Sequence, residues 1–249
     1  MRCIYTLDRL KIRTLILLLG LCAPSKSFAQ VANEDMIWLR YWANFQLGER
    51  FQFSAQATNQ NYQKPWKERQ IISHYLASYK VNDILSPGIG LTYANVWNHS
   101  SLDQSLFLLP EIRPFQELQI RNNWSKKWKQ LSRVRVDERF VHRANAEGLA
   151  KGFDYQGRVR FQSILQFRAN TRLGVRVGDE LFVNFNKDEF DRHLGQNRIF
   201  TGLNVELRPN LSVDSDFFLI SKKAAVTSSW NTVYRIGLMS RFERKKNKL

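Results

Sequence analysis

Residues Pro110 to Phe140 read PEIRPFQELQIR, then NNWSKKWKQ, then LSRVRVDERF. In the first run Glu111, Arg113, Glu117, Gln119 and Arg121 share one parity, while Ile112, Leu118 and Ile120 share the other. The last run repeats the pattern, with Arg133, Arg135, Asp137 and Arg139 alternating against Val134, Val136 and Phe140. A period of two sends such sets to opposite faces of a strand. The polar connector 122–130 makes the pair a hairpin with a long loop. Its polar face is dense in charge and carries both signs. A sheet edge shows such a face to water, and so does the inner wall of a barrel whose outer face meets lipid.

The chain opens on an export address. Arg2, Arg9, Lys11 and Arg13 precede the apolar run Leu15–Leu21, and Ser27-Phe28-Ala29 closes it in small-x-small fashion. This predicts a secretory signal peptide over 1–29, cleaved after Ala29. The apolar run is well short of the roughly 20 residues that a spanning helix needs. Leu21, the residue before Cys22, is too large for the usual lipidation signal. Cys3 and Cys22 both lie in this leader, so disulfides are not the expected source of stability in the mature chain.

The formal charge is +16. The leader holds Arg2, Arg9, Lys11, Arg13 and Lys26 against Asp8, which leaves +12 on residues 30–249. Nucleic acid is the reflex partner of so basic a chain. An exported protein meets lipid head groups and small anionic solutes instead, so these are the expected partners and nucleic acid is not.

Strand alternation recurs along the rest of the chain in eleven runs. They lie near 37–47, 51–58, 69–80, 88–93, 111–121, 131–140, 158–167, 172–185, 198–207, 211–220 and 230–242. The third is ambiguous in parity, because Ile71 and Ile72 are adjacent. Many runs reach the nine to eleven residues of a membrane strand, longer than the five or six usual in soluble sheets. Connections are short at 48–49, 82–83, 168–171 and 209–210, and long and polar at 98–107, 142–152, 186–195 and 221–229. Only 122–130 breaks that order. Short turns at one end and long loops at the other are the asymmetry of outer-membrane barrels. The expected fold is therefore all-β, a single antiparallel transmembrane β-barrel over residues 30–249 with a short basic C-terminal tail. Single-chain bacterial barrels take an even number of strands. About twelve are expected, the missing one sought near 30–36, with ten as the alternative.

The motifs WLRYW (Trp38–Trp42), EIRPFQEL, RVRVDERF and GDELFVNF followed by QNR (Gln196–Arg198) resemble one family. It is the uncharacterised group catalogued as domain of unknown function 2490, found mainly in Bacteroidetes-type bacteria. The resemblance covers nearly the whole mature chain and implies a Gram-negative outer-membrane barrel. It implies no activity and carries no catalytic residue. The sequence departs from common barrel practice at its end, where Phe242 is followed by the basic tail 243–249.

The inward parity collects the candidate lumen. Its arginines are Arg113, Arg121, Arg133, Arg135, Arg139, Arg158, Arg160, Arg172, Arg176 and Arg198, with Arg40, Arg235 and Arg241. Its acids are Glu111, Glu117, Asp137, Glu180 and Glu206, with Asp214 and Asp216. Every base is arginine, whose planar fork pairs bidentately with carboxylates. The first expectation is a structural or binding barrel whose lumen is knitted shut by Arg–Glu networks. The arginine rows of 133–139 and 158–160 hold one acid, Asp137, so sealing needs acids imported from other strands, such as Glu111 and Glu117. The second is a narrow, porin-like pore selective for anions, favoured by thirteen arginines over seven acids. Glu138 falls on the outward parity and predicts a bulge or a position above the lipid.

Catalysis is not expected. His74, His99, His142 and His193 sit in distant segments, and neither of the loop histidines His142 and His193 has a serine or acid at a motif spacing. A barrel-borne hydrolase and a soluble exported β protein are the remaining alternatives. Asp188, Glu189, Asp191 and His193 form the one cluster with metal-ligating residue types, and a solvated loop explains it as well. No cofactor is expected. The tryptophans, mostly at strand ends or in connectors, predict an interfacial girdle.

Overall fold

Among the described residues eleven strands form, and these eleven close into a barrel. The computed structural model describes residues 33–99, 106–146, 148–185, 194–223 and 228–243. The expected signal peptide, both cysteines, the acidic segment around Asp188 with His193, and the basic tail after Glu243 lie outside the described residues. The strands are β1 (Asn33–Gln46), β2 (Phe51–Gln63), β3 (Trp66–Tyr79), β4 (Leu85–His99), β5 (Leu106–Asn123) and β6 (Trp128–Asn145). They continue as β7 (Gly148–Arg168), β8 (Leu173–Phe185), β9 (Leu194–Arg208), β10 (Leu211–Lys223) and β11 (Ser228–Glu243). Each is antiparallel to its sequence neighbour, and β1 pairs with β11 in parallel to close the barrel. An odd strand count demands one parallel pair, because β1 and β11 then run in the same direction. The residues near 30–36 that were expected to supply a further strand instead begin β1, at Asn33.

Turn chemistry fixes one end. Asn82 Oδ1 accepts the peptide N–H groups of Ile84 and Leu85 at 2.9 and 2.7 Å, and Asn170 Oδ1 does the same for Arg172 and Leu173, both at 2.8 Å. Asparagine side chains mimic a backbone turn in this way. At 124–127 the hydroxyl of Ser125 accepts the Trp128 N–H at 3.1 Å, and the N–H groups of Trp124 and Ser125 donate to Trp128 O. The connector that broke the short-turn order is therefore itself a four-residue turn. The segment 142–152, expected as a long loop, is mostly strand: β6 runs on to Asn145 and β7 begins at Gly148. A register irregularity at His142/Ala144 and positive-φ glycines at 148 and 152 let this hairpin twist.

The walls have two faces, as the alternation requires. Leu39, Ile89, Val136, Phe161, Leu203 and Ile236 are among the apolar side chains exposed outside, each by more than a third. Outer aromatics pair near the short turns: Phe45 stacks on Phe242 with centroids 4.8 Å apart, Phe51 meets Tyr79 at 4.9 Å, and Trp128 meets Phe167 at 4.8 Å. Phe140–Tyr155 at 5.4 Å and His142–Phe153 at 4.9 Å form a second group toward the opposite end. Trp66, Trp124, Trp128 and Trp230 are exposed at strand ends, but Trp38 departs from the expected girdle and is buried inside. Glu138 stays in register opposite Gly157 without a bulge, and Asp179 faces outward at the centre of β8.

The inner face holds more than charge. Met36, Trp38, Phe200, Phe218, Ile220 and Val233 form an apolar cluster within the lumen. Ile72 points inward and is buried whereas Ile71 is exposed, which resolves the ambiguous parity of β3. Close packing at the inner face uses glycine. A Cβ on Gly90 would lie 2.2 Å from the Phe115 ring, and one on Gly202 would lie 2.0 Å from Asp216 Oδ1.

Candidate functional site

Alternation on β5 to β8 brings the arginine rows together with acids from both flanks. Glu117 on β5 accepts from Arg135 on β6, with Nη2 at 2.5 Å and Nε at 2.8 Å, and from Gln119 at 2.6 Å. Glu111 accepts a two-point contact from Arg113, both distances 2.6 Å, and a third from Arg139 Nε at 2.5 Å. From the other side, Glu180 on β8 receives Arg133 Nη2 and Arg160 Nη2, each at 2.7 Å, and lies 3.8 Å from Arg198 Nη1. Asp137 sits 3.7 Å from Arg160. The rows of β6 and β7 thus import their compensation from β5 and β8.

A second network spans the closure seam. Asp216 takes Arg176 Nε at 2.7 Å and Arg235 Nη2 at 2.7 Å. Asp214 takes Arg40 at 2.5 Å, Arg176 at 3.0 Å and the Asn204 amide at 2.6 Å. Both aspartates are 1% exposed. Buried charges stay tolerable only when paired and hydrogen-bonded on their remaining positions, and these two are.

Aromatic rings lie between the cations. The Arg135 guanidinium carbon stands 4.0 Å from the Phe115 centroid, and that of Arg235 stands 4.6 Å from Phe218. Phe182 carries three, with Arg198 at 4.4 Å, Arg160 at 4.7 Å and Arg158 at 5.6 Å. Ring faces attract desolvated guanidinium groups, which spreads positive charge that carboxylates do not reach. None of these phenylalanines was singled out by alternation alone.

Of the thirteen inward-parity arginines, Arg40, Arg113, Arg133, Arg135, Arg139, Arg158, Arg160, Arg176, Arg198 and Arg235 lie in the lumen, buried or half-buried. Six of the seven acids join them: Glu111, Glu117, Asp137, Glu180, Asp214 and Asp216. Arg121, Arg172 and Arg241 are exposed at the short-turn rim, and Glu206 is half-buried there. Arg172 meets Glu206 through the backbone, where Glu206 N donates to Arg172 O at 2.7 Å.

Among the described residues no group of three His, Cys, Asp or Glu is placed to hold a metal ion. His74 points into the lumen with Nδ1 2.5 Å from Thr92 Oγ1. His142 lies far from it near the loop end, against the Phe153 ring.

The family described as Protein of unknown function (DUF2490) matches residues 35–224, which takes in β1 from Asp35 onward, β2 through β10 and every residue of the β5–β8 network. The chain belongs to this family. A comparison with curated proteins finds no match. DUF2490 membership agrees with the resemblance carried by WLRYW, EIRPFQEL and RVRVDERF, all within the matched span. The family description names no activity.

Proposed function

We propose that this DUF2490 chain is an outer-membrane β-barrel that serves as a structural or binding barrel, its lumen closed at mid-height by the arginine–carboxylate network. The observation that carries this reading is the inversion of the two faces. Large apolar side chains are exposed outside, while six carboxylates are nearly fully enclosed inside. A water-soluble barrel would gain from the reverse arrangement, because exposed apolar area costs about 25 cal/mol per Å² in water. The aromatic pairs near each end suit the two membrane interfaces, where an apolar ring and a polar edge are both accommodated. Closure is supported by the filling of the interior, where Phe115, Phe182, Phe200 and Phe218 are all buried.

Under this reading the short turns face the periplasm and the extended β6–β7 hairpin faces outward. No step of chemistry is assigned, and the barrel is read as non-enzymatic, with outer-membrane lipid as its partner. The second reading, a narrow anion-selective pore, draws on the excess of ten lumen arginines over six acids. Separation of cell envelopes tests membrane residence. The protein is expected in the outer-membrane fraction, resistant to carbonate wash. Recovery in the soluble periplasmic fraction would contradict the reading.

A further inference from the structure

We infer that the loop-side half of the lumen is a binding site for a phosphate-type oxyanion, with Arg158 as its central ligand. The inference rests on the closed-lumen reading, which makes this half a blind vestibule instead of a passage.

The charge balance there does not close. Among the described residues Arg158 makes one hydrogen bond, from Nε to Asn184 Oδ1 at 2.9 Å, and no carboxylate lies within salt-bridge distance of it. Arg160 shares the Phe182 ring with it and repels it, while Asp137, its partner in register across β6–β7, attracts it from beyond salt-bridge distance. Arg198, sharing the Phe182 ring, is no better served. Its Nε is buried without a hydrogen-bond partner, and its nearest acid, Glu180, already accepts from Arg133 and Arg160. Among the described residues, Arg113, Arg139, Arg158, Arg160 and Arg198 share Glu111, Asp137 and Glu180 with Arg133, which leaves positive charge in excess around Arg158. Cation–ring contacts offset part of that cost but neutralise none of it.

A ligand of charge near minus two with several acceptor oxygens answers both deficits. Phosphate and phosphate monoesters have that charge at neutral pH, and their oxygens match the guanidinium fork in two-point contacts. Chloride has neither property. Arg158 is half-buried, and among the described residues its Nη groups make no hydrogen bond. The same chemistry comes from free phosphate or from the phosphate of a lipid head group, and the experiment separates them.

Folded protein in neutral detergent is titrated with inorganic phosphate by calorimetry, and separately with micelles doped with a phosphomonoester lipid. Saturable binding of inorganic phosphate is expected, with no comparable signal from chloride at equal ionic strength. Saturation only with the doped micelles assigns the same site to a lipid phosphate. R158Q should weaken binding roughly tenfold, the loss expected for one charge-assisted hydrogen bond. R158K should restore part of it, and R172Q at the opposite rim should leave it unchanged. Thermal shift on addition of phosphate provides a second readout for any variant that folds poorly. Absence of saturable binding in the parent, or equal binding in R158Q, would overturn the site. Equal effects of chloride and phosphate would reduce it to screening and overturn it too. Conductance through the lumen would defeat the closed-barrel reading while leaving phosphate binding to be judged on its own.

Discussion

Arg135 and Glu117 meet across the β5–β6 pair with Nη2 2.5 Å from Oε2, and their side chains are 7% and 1% exposed. They stand opposite one another in register, so the two strands cannot slip without breaking the pair. Here the charge on one strand is answered by its direct neighbour, and the guanidinium carbon stands 4.0 Å from the Phe115 ring centroid.

The first prediction follows from that burial. Glu117→Gln leaves Arg135 enclosed without its partner, and removing one member of a buried pair costs about 3–5 kcal/mol. The double change Glu117→Leu with Arg135→Met should recover most of the loss, since an apolar pair of similar volume is close to neutral. Urea unfolding of the refolded variants in lipid vesicles measures both. Additive losses in the double variant would contradict the pairing.

The outer face should report its depth. Ile236 lies near the middle of β11 and is 42% exposed, whereas Val175 lies two residues from the start of β8. Arginine at a lipid-facing midplane position costs about 2–4 kcal/mol, falling to about 0–1 near the interface. Ile236→Arg should therefore be the costlier change and Val175→Arg nearly silent. Equal, small effects of the two in vesicles would contradict a lipid-facing wall.

Much of this architecture was legible from alternation. Inward charge against outward apolar side chains is a signal that survives in one sequence, and it marked all eleven strands and the acids and arginines of both networks. Three features were not legible, for physical reasons. Parallel closure leaves no trace in a period of two, because β1 and β11 alternate identically whichever way they pair. The even-number rule then suggested a twelfth strand that the parallel pair makes unnecessary. The inner aromatics were hidden because their neighbours are apolar as well: Phe182 sits between Leu181 and Val183, and Phe218 between Phe217 and Leu219. Aromatic residues on both parities erase the contrast on which the reading depends. A usable signal did exist in the glycines, since glycine inside a strand marks a close approach. Gly90 stands opposite Phe115, and Gly178 opposite Phe200.

That signal gives the third prediction. At Gly90 an added methyl group would meet the Phe115 ring and the Tyr75 carbonyl oxygen, 2.2 and 2.3 Å away. Gly90→Ala should destabilise by about 1–3 kcal/mol, the usual cost of overpacking a filled interior. Gly48, on a positive-φ turn with open space around its Cβ direction, should respond to alanine through backbone strain alone. Comparing the two by thermal unfolding separates packing from turn geometry. A Gly90→Ala variant as stable as the parent would contradict a filled lumen at that level.

The proposed function rests on closure of the barrel by the arginine–carboxylate network. Current through the purified, folded parent protein in planar lipid bilayers tests it most directly. Silent bilayers are expected at neutral pH and physiological salt, with protein incorporation verified independently. Steady unitary currents in the parent would contradict closure. Anion selectivity of those currents, reduced when Arg135 and Arg160 are both changed to Glu, would instead favour the narrow anion pore.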